Sequence, residues 1–381
     1  MSTWRGPFLS GRTSPARDVR VALLGTGLIG GSLGLALRRI PSVEEIVVFD
    51  ASADVATKAV ERGAGDRAAA EPADAVRDAD FIFVATPVGR IPEVVAAAIP
   101  GLKSGAVLTD VGSTKSRVVL EVEALALEGA TFIGGHPMAG TEEEGIGAAD
   151  GNLFDGCWWI LTPTERVDAG AYRALHSLLT ALGARVMALE PAQHDDLLAV
   201  VSHLPHLTAA TLMNLAAERG KEHAGLLSLA AGGFRDVTRV AASNPDIWLD
   251  ICEENASAIS GVLREFARRL DDLGALVEGK QRDELRERFL AARASRRELP
   301  GRRAGGELVE VLIPVPDRPG VLSEVTTTVG ELGVNIEDLQ ITHAEEGGRG
   351  TLRLLISGTS DAHRVQEALS AKGYDVRSTS I

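Results

Sequence analysis

Cysteine is nearly absent: only Cys157 and Cys252 occur in 381 residues. Two thiols exclude a disulfide framework and a four-thiolate zinc site, and they fit a reducing, cytoplasmic setting. An excess of positive charge is also missing, since 39 Lys and Arg stand against 53 Asp and Glu, a formal charge of −14. No nucleic-acid surface and no anionic membrane is therefore expected as main partner, and an anionic ligand must be held by locally placed Arg or His. No apolar run is long enough to cross a bilayer. Residues 1–18 carry Arg, Ser, Gly and Pro without an apolar stretch of the signal-peptide kind and read as a disordered tail. Internal repeats and low-complexity blocks are lacking as well. What is present, 45% hydrophobic and 24% charged residues, is an ordinary globular composition on a chain long enough for two or three domains.

The first organised stretch is residues 21–31, VALLGTGLIGG. An apolar strand-like run leads into Gly25-x-Gly27-x-x-Gly30, and residues 32–39 read as helix. Gly25 permits a tight turn, Gly27 lets the backbone approach a pyrophosphate, and Gly30 lets helix pack on strand. The N–H groups around Leu28 and Ile29, with the helix dipole, face the anion. A second buried-strand pattern, residues 43–50, ends in Asp50, 20 residues beyond Gly30. A carboxylate there accepts hydrogen bonds from a ribose 2′-hydroxyl and repels a 2′-phosphate, which favours NAD over NADP as cofactor. Strand, helix and acid in register argue against a mere Gly-rich turn.

Over residues 19–190 short apolar runs alternate with helical segments, the pattern of a mostly parallel, doubly wound α/β sheet of the Rossmann type. Strands are expected at 21–24, 45–49, 81–85, 106–110, 131–134, 158–162 and 185–188. Ligands sit at the carboxyl ends of such strands. Chemistry is therefore sought at Asp50, at Thr86 and Pro87, between Asp110 and Lys115, and at His136. Residues 191–298 show helical periodicity with almost no strand signal. Helices are expected at 192–219, 221–231, 234–241, 246–273 and 281–297, the fourth started by Asn244 as N-cap before Pro245. This all-α segment is expected to build a homodimer interface, a self-contained bundle being the other reading. Residues 299–306, LPGRRAGG, read as a linker. Residues 307–381 read strand, helix, strand, strand, helix, strand, a βαββαβ ferredoxin-like unit.

His136 lies in GGHPMAG, directly after an expected strand, with small neighbours that let imidazole and backbone crowd against a ligand. A histidine so placed can take a proton from a hydroxyl as hydride leaves the same carbon. The plainer reading, a loop histidine satisfied by its neighbours, is disfavoured by the strand-end position. One strand earlier, in DVGSTKS, Ser113 either contacts the substrate hydroxyl and the nicotinamide side or caps the following helix. His203 and His206 stand at i, i+3 on one helix face. A metal there needs a third ligand, and Asp195 and Asp196 are near in sequence without a fixed geometry. Hydrogen bonding to substrate or between domains is the favoured reading, and no metal is expected. Arg235 and Arg239 stand at i, i+4, positioned either to clamp a carboxylate bidentately or to pair with Asp236 or Glu142 at the surface.

GTGLIGGSL, ATPV, DVGSTK, GGHPMAGTE, SHLPH and GGFRDVTRVAASNPDIW, in this order and spacing, resemble the prephenate dehydrogenases of tyrosine biosynthesis, a group that includes arogenate and cyclohexadienyl dehydrogenases. The resemblance runs from about residue 19 to 298. It implies that NAD⁺ takes hydride from the ring carbon bearing the hydroxyl while the ring carboxylate leaves as CO₂, aromatisation driving the reaction. It also implies that His136 polarises the ring hydroxyl, that Ser113 assists it and contacts the nicotinamide, and that Arg239 holds the ring carboxylate. Glu142, His206 and Trp248 match positions around the substrate pocket, and Arg235 with Asp236 match neighbours of that arginine. Arg235 stands where some relatives carry Lys, which leaves side-chain recognition, prephenate or arogenate, open.

The last 75 residues resemble an ACT domain, a small-molecule sensing module, with Asp317-Arg318-Pro319-Gly320 opening its first helix and Asn335 beginning the next strand. The resemblance implies an amino-acid ligand near this loop, with tyrosine as the expected feedback effector; a spacer or dimerisation module is the alternative. Two other readings compete for the whole chain. An NAD-dependent β-hydroxyacid dehydrogenase needs a catalytic lysine on the helical segment, but Lys221 and Lys280 sit in polar helix-end contexts. A non-catalytic sensor is opposed by His136, Ser113 and Arg239 and by the lack of a basic stripe.

Overall fold

The computed structural model describes residues 19–141, 143–223, 225–299, 308–316, 318, 320–343 and 349–380. They fall into two compact units divided between Arg286 and Glu287. The expected tail and residues 300–306 of the expected linker lie outside the described residues.

The first unit carries eight strands: β1 (Val19–Leu24), β2 (Val43–Phe49), β3 (Arg67–Ala68), β4 (Phe81–Val84), β5 (Val107–Asp110), β6 (Thr131–Pro137), β7 (Trp158–Thr162) and β8 (Arg185–Ala188). They form one sheet in the order β3-β2-β1-β4-β5-β6-β7-β8. Every neighbouring pair is parallel except β6 with β7. The chain reverses its direction of travel at β1, between β2 and β4, and opens a crevice at the carboxyl ends of the strands there. Helices α1 (Leu28–Leu37), α2 (Ala53–Glu61), α3 (Pro72–Ala75), α4 (Ile91–Ala98), α5 (Ser116–Glu123) and α6 (Ala169–Ala181) connect the strands. Both faces of the sheet are covered, as continuous apolar strands demand. Val21, Leu23, Phe81 and Phe83 pack on one face with Leu33, Trp159 and Leu175. Their alternates Ala22, Leu24, Ile82 and Val84 pack on the other with Ile91, Leu108 and Val118. Each large side chain buried this way contributes about 1.5–3 kcal/mol, so the central strands make a stiff floor for whatever sits at their ends.

The helical segment departs from its expected layout in three places. The helix expected over 192–219 is α7 (Pro191–Leu198) and α8 (Leu204–Glu222), joined by a π turn over Ala199–His203. Pro205 lacks an N–H and its ring crowds the carbonyl four residues back, and the wider turn accommodates it. The helix expected over 221–231 does not form: Gly225 turns at φ +96° and only a 3₁₀ turn, Leu226–Leu229, follows. The helix expected over 246–273 breaks at Asn255 into α10 (Pro245–Glu254) and α11 (Ala256–Glu278). Asn255 leaves the helical region, at φ −115° and ψ 31°, and spends its amide on the backbone oxygen of Asp195 at 2.9 Å. Between these lie α9 (Gly232–Thr238) and a 3₁₀ turn, Arg239–Ala242; α12 (Arg282–Glu298) follows α11. Leu263, Leu270 and Val277 are exposed at seven-residue intervals along α11, an apolar stripe of the kind that helix partners cover.

In the second unit β9 (Leu308–Pro316), α13 (Val321–Glu331), β10 (Ile336–His343), β11 (Arg349–Ser357), α14 (Thr359–Ala371) and β12 (Arg377–Ser380) make the expected βαββαβ unit. The antiparallel sheet runs β10-β11-β9-β12. Val311, Ile313, Leu352 and Leu354 from the sheet meet Val325, Val329, Val365 and Leu369 from the two helices. Gly320 enters α13 at φ +91°, Asn335 is exposed just before β10, and Asp317 lies outside the described residues.

Candidate active site

The loop after β1 is shaped by two close approaches. A Cβ on Gly25, which sits at φ +99°, would fall 2.5 Å from the Ala85 carbonyl oxygen, and one on Gly30 would fall 2.0 Å from the Gly25 carbonyl oxygen. Gly27 differs: a Cβ there would meet nothing within 4 Å. It is the N-cap of α1, and no side chain caps the helix. The first N–H groups of α1 thus have no side-chain cap, and the space beside Gly27 is open, as a cradle for an anionic pyrophosphate requires. Asp50 is fastened beside this loop. Its Oδ2 accepts the Thr26 N–H at 2.8 Å and hydroxyl at 3.1 Å, and its Oδ1 accepts the Ser52 N–H at 3.0 Å. A carboxylate has room for further donors, so Asp50 can still receive a ribose hydroxyl. At the end of the adjacent β4, the Thr86 Oγ1 is buried without a partner, and Pro87 leads into a short 3₁₀ turn.

Two strands farther across the sheet, roughly 10 Å at ordinary strand spacing, lies the second half of the site. Asp110 ends β5 fully buried. Its Oδ1 accepts the Gly135 N–H at 3.0 Å, its Oδ2 accepts the Gly112 N–H at 2.8 Å, and the buried Lys115 ammonium pairs with it. Burial pushes the Lys115 pKa down while the Asp110 charge opposes the shift. Asp110 thus fastens Gly135 just past the last β5–β6 ladder pair, Thr109 with Ile133, and β6 runs on to Pro137 by pairing antiparallel with β7. His136 is therefore inside β6, opposite Ile160 of β7, rather than in a loop after it. The glycines before it answer the same packing. A Cβ on Gly135 would lie 2.5 Å from the Asp110 carbonyl oxygen, and one on Gly134 would lie 2.3 Å from the Thr162 hydroxyl. Sheet closure, and not only room for a ligand, demands them.

His136 is 8% exposed. Its Nδ1 lies 2.9 Å from Nε2 of His194, and the rings meet edge to face at 5.1 Å. His194 Nδ1 lies 2.8 Å from Asp195 Oδ1. Asp195 also accepts the Lys115 N–H on Oδ1 and the Ser116 N–H on Oδ2, each at 2.8 Å. It therefore caps α5 from across the chain. That corrects the capping alternative for Ser113, which is half-buried three residues before the helix and makes no capping bond. Burial alone would raise the Asp195 pKa, but the bonds from His194, Ser116 and Lys115 outweigh it and hold the carboxyl below its usual range. Burial, reinforced by His194, Lys115 and His203, holds His136 well below the ordinary histidine value, so it is neutral at neutral pH.

On the helical side, His206 stacks on Trp248 with ring centroids 3.5 Å apart and planes 9° from parallel. Burial lowers its pKa, and its Nδ1 is buried without a partner. His203 is turned differently. Its ring meets Trp248 edge-on, its Nδ1 lies 3.4 Å from the Asn255 amide, and its Nε2 is buried without a partner. Burial lowers its pKa to about 4. Among the described residues no group of three His, Cys, Asp or Glu is placed to hold a metal ion. Arg239 follows α9 in a turn that packs on α8, the helix of His206. Arg235 is exposed and donates to the Ala230 carbonyl at 3.2 Å. Arg117 of α5 pairs with Glu254 of α10 at 3.0 Å, a second tie between sheet and helices. Glu142 lies outside the described residues. Sequence reasoning missed His194 and Asn255 altogether and weighed Asp195 only as a metal ligand. The one available signal was a His-Asp pair in the first helix after the sheet.

Residues 33–188 match the family model for the prephenate dehydrogenase nucleotide-binding domain, residues 190–291 that for its dimerization domain, and residues 309–373 that for the ACT domain. The chain is 33% identical to the prephenate dehydrogenase of Bacillus subtilis over 92% of its own length and 96% of that protein. Among solved structures it is similar to the Aquifex aeolicus prephenate dehydrogenase in complex with hydroxyphenyl propionate and NAD⁺, at 31% identity and a TM-score of 0.70, covering 75% of this chain and 100% of that one. It is also similar to the Synechocystis arogenate dehydrogenase, at 33% identity and a TM-score of 0.65, covering 74% and 100%. A nucleotide cradle, a buried neutral histidine three strands away and these matches along nearly the whole chain agree, and the chain belongs to the prephenate dehydrogenase family.

Proposed function

We propose that the chain catalyses the NAD-dependent oxidative decarboxylation of prephenate to 4-hydroxyphenylpyruvate, as an enzyme of tyrosine biosynthesis. The observation that carries the reading is His136, neutral and buried at the carboxyl end of β6, on the same edge of the sheet as the open cradle at Gly27. NAD⁺ supplies the hydride acceptor. Its fit rests on the uncapped start of α1, on Asp50 beside it and on the unpartnered Thr86 hydroxyl. His136 receives the proton of the ring hydroxyl as the C–H electron pair departs as hydride. The bond to the ring carboxylate then breaks, CO₂ leaves, and its electrons complete the aromatic ring. Ser113, in the turn after β5 one strand away, hydrogen-bonds the same hydroxyl and the nicotinamide side in this reading. Arg239 binds the ring carboxylate, with Arg235 beside it, and the His206–Trp248 stack gives the ring a flat wall. Glu142 is taken as a substrate-binding residue in this reading.

Arogenate is the second reading for the substrate, favoured by the likeness to the Synechocystis arogenate dehydrogenase. The enzyme works as a cytoplasmic homodimer through the exposed stripe on α11, and its ACT unit binds tyrosine as feedback effector near Asp317, Gly320 and Asn335. Replacing His136 by Asn tests the catalytic reading. Loss of a general base lowers kcat at least about 10²-fold while NAD⁺ affinity holds. Near-normal turnover would remove His136 from the chemistry.

A further inference from the structure

His194 is fully buried, and both of its ring nitrogens are engaged, one by Asp195 and the other by His136. We propose that His194, held by Asp195, is a positioning residue that fixes His136 in the neutral tautomer with its proton on Nδ1, so that Nε2 offers a lone pair to the substrate hydroxyl. The inference rests on the reading of His136 as proton acceptor.

The direction of every bond in the chain follows from its far end. Asp195 takes the backbone N–H groups of Lys115 and Ser116, and a main-chain N–H cannot reverse its role. Both are at the start of α5, where the helix dipole adds to the preference for a negative partner. Asp195 is thus an ionised acceptor, and His194 Nδ1 must donate to it. A neutral imidazole has one N–H, so His194 Nε2 is bare and accepts. His136 Nδ1 must then donate at 2.9 Å, which leaves its Nε2 unprotonated. The charged and titratable groups facing His136 are Lys115 from the turn before α5, His194 and Asp195 from α7, and His203 from the π turn. Lys115 is paired with Asp110, and what remains of its positive charge favours the neutral His136 without choosing between its two tautomers. If a proton is added to His194 Nε2, it faces His136 Nδ1 as a second donor, and the base is lost.

The test uses the full-length enzyme with labelled imidazole nitrogens and three variants. In the parent, ¹⁵N resonances are expected to report His136 with Nδ1–H and bare Nε2. In His194→Leu the acceptor is gone: the Nε2–H tautomer takes over, and kcat falls at least about 10²-fold with KM within about threefold. His194→Gln can return a carbonyl oxygen to the position of Nε2, and kcat is expected to recover to within about tenfold of the parent. An Nε2–H tautomer at His136 in the parent overturns the proposal, and so does a His194→Leu enzyme with the parent's kcat and pH profile. If His194→Leu fails to fold, the tautomer in the parent decides alone. The third variant, His136→Asn, separates the two claims. Its full activity refutes the base, whereas its loss together with an unaffected His194→Leu refutes only the positioning role.

Discussion

Replacing Asp195 by Ala should loosen the start of α5 more than a missing cap does on an ordinary surface helix. The carboxylate serves three donors: the N–H groups of Lys115 and Ser116 and His194 Nδ1. Lys115 and His194 are fully buried, so water cannot replace their partner without opening the site. A buried donor left unpaired costs about 1–3 kcal/mol. Taking the lower end for each of the three donors gives roughly 3 kcal/mol for the set. Asp168 supplies the comparison. It caps α6 from within the same segment, accepting the N–H groups of Gly170 and Ala171, and its removal should cost about 1 kcal/mol. A chain of two units need not melt in one step, so the measurement is native-state hydrogen exchange on the first turn of α5. With 1.4 kcal/mol per decade, Asp195→Ala should speed exchange there by about 10²-fold, and Asp168→Ala should speed exchange at α6 by less than about tenfold. Exchange at α5 within about threefold of the parent would mean that Asp195 does not hold the helix, and the anchored end of the relay would lose its physical basis.

Two further perturbations have opposite signatures in fold and function. Gly27→Ala places a methyl group in open space and should leave stability within about 0.5 kcal/mol while weakening NAD⁺ binding at least about tenfold; Gly30→Ala drives a Cβ into the Gly25 carbonyl and should lower the melting temperature itself, and equal effects in thermal and binding assays would contradict the division. His203 has a folded pKa of about 4 against 6.5 unfolded. Between those values the unfolded chain binds the proton and the folded one does not, so stability is full above pH 6.5 and falls as the pH drops toward 4. Allowing for partial solvation the loss attributable to His203 is roughly 2 kcal/mol, seen as a steeper denaturation-versus-pH curve in the parent than in His203→Gln; parallel curves would refute it.

Local pattern was enough for the sheet except its two-residue edge strand β3, too short to show a periodicity, for the βαββαβ unit and for the nucleotide loop. Alternating or continuous apolar runs and fixed glycine spacing act over a few residues, and β1, β4 and β9 formed where those runs lay. The helical segment was harder to read because its breaks are tertiary. Asn255 interrupts α10 and α11 in order to reach a carbonyl 60 positions away, and no helix propensity in that stretch announces the turn. His136 was legible as a residue but not as part of β6, since the strand is prolonged past Ile133 by antiparallel pairing with β7, a partner outside the local pattern. His194 and Asp195 acquire their roles only when α7 is laid against the start of α5, a contact spanning about 80 residues. Such contacts leave no periodicity in the sequence.

The most direct measurement is the appearance of NADH when the purified enzyme is given NAD⁺ and prephenate, with arogenate run beside it. NADH formation from prephenate, matched by release of CO₂ and lost in His136→Asn, is the expected result. Absence of NADH from both compounds, in protein that binds NAD⁺, would contradict the assignment of the reaction.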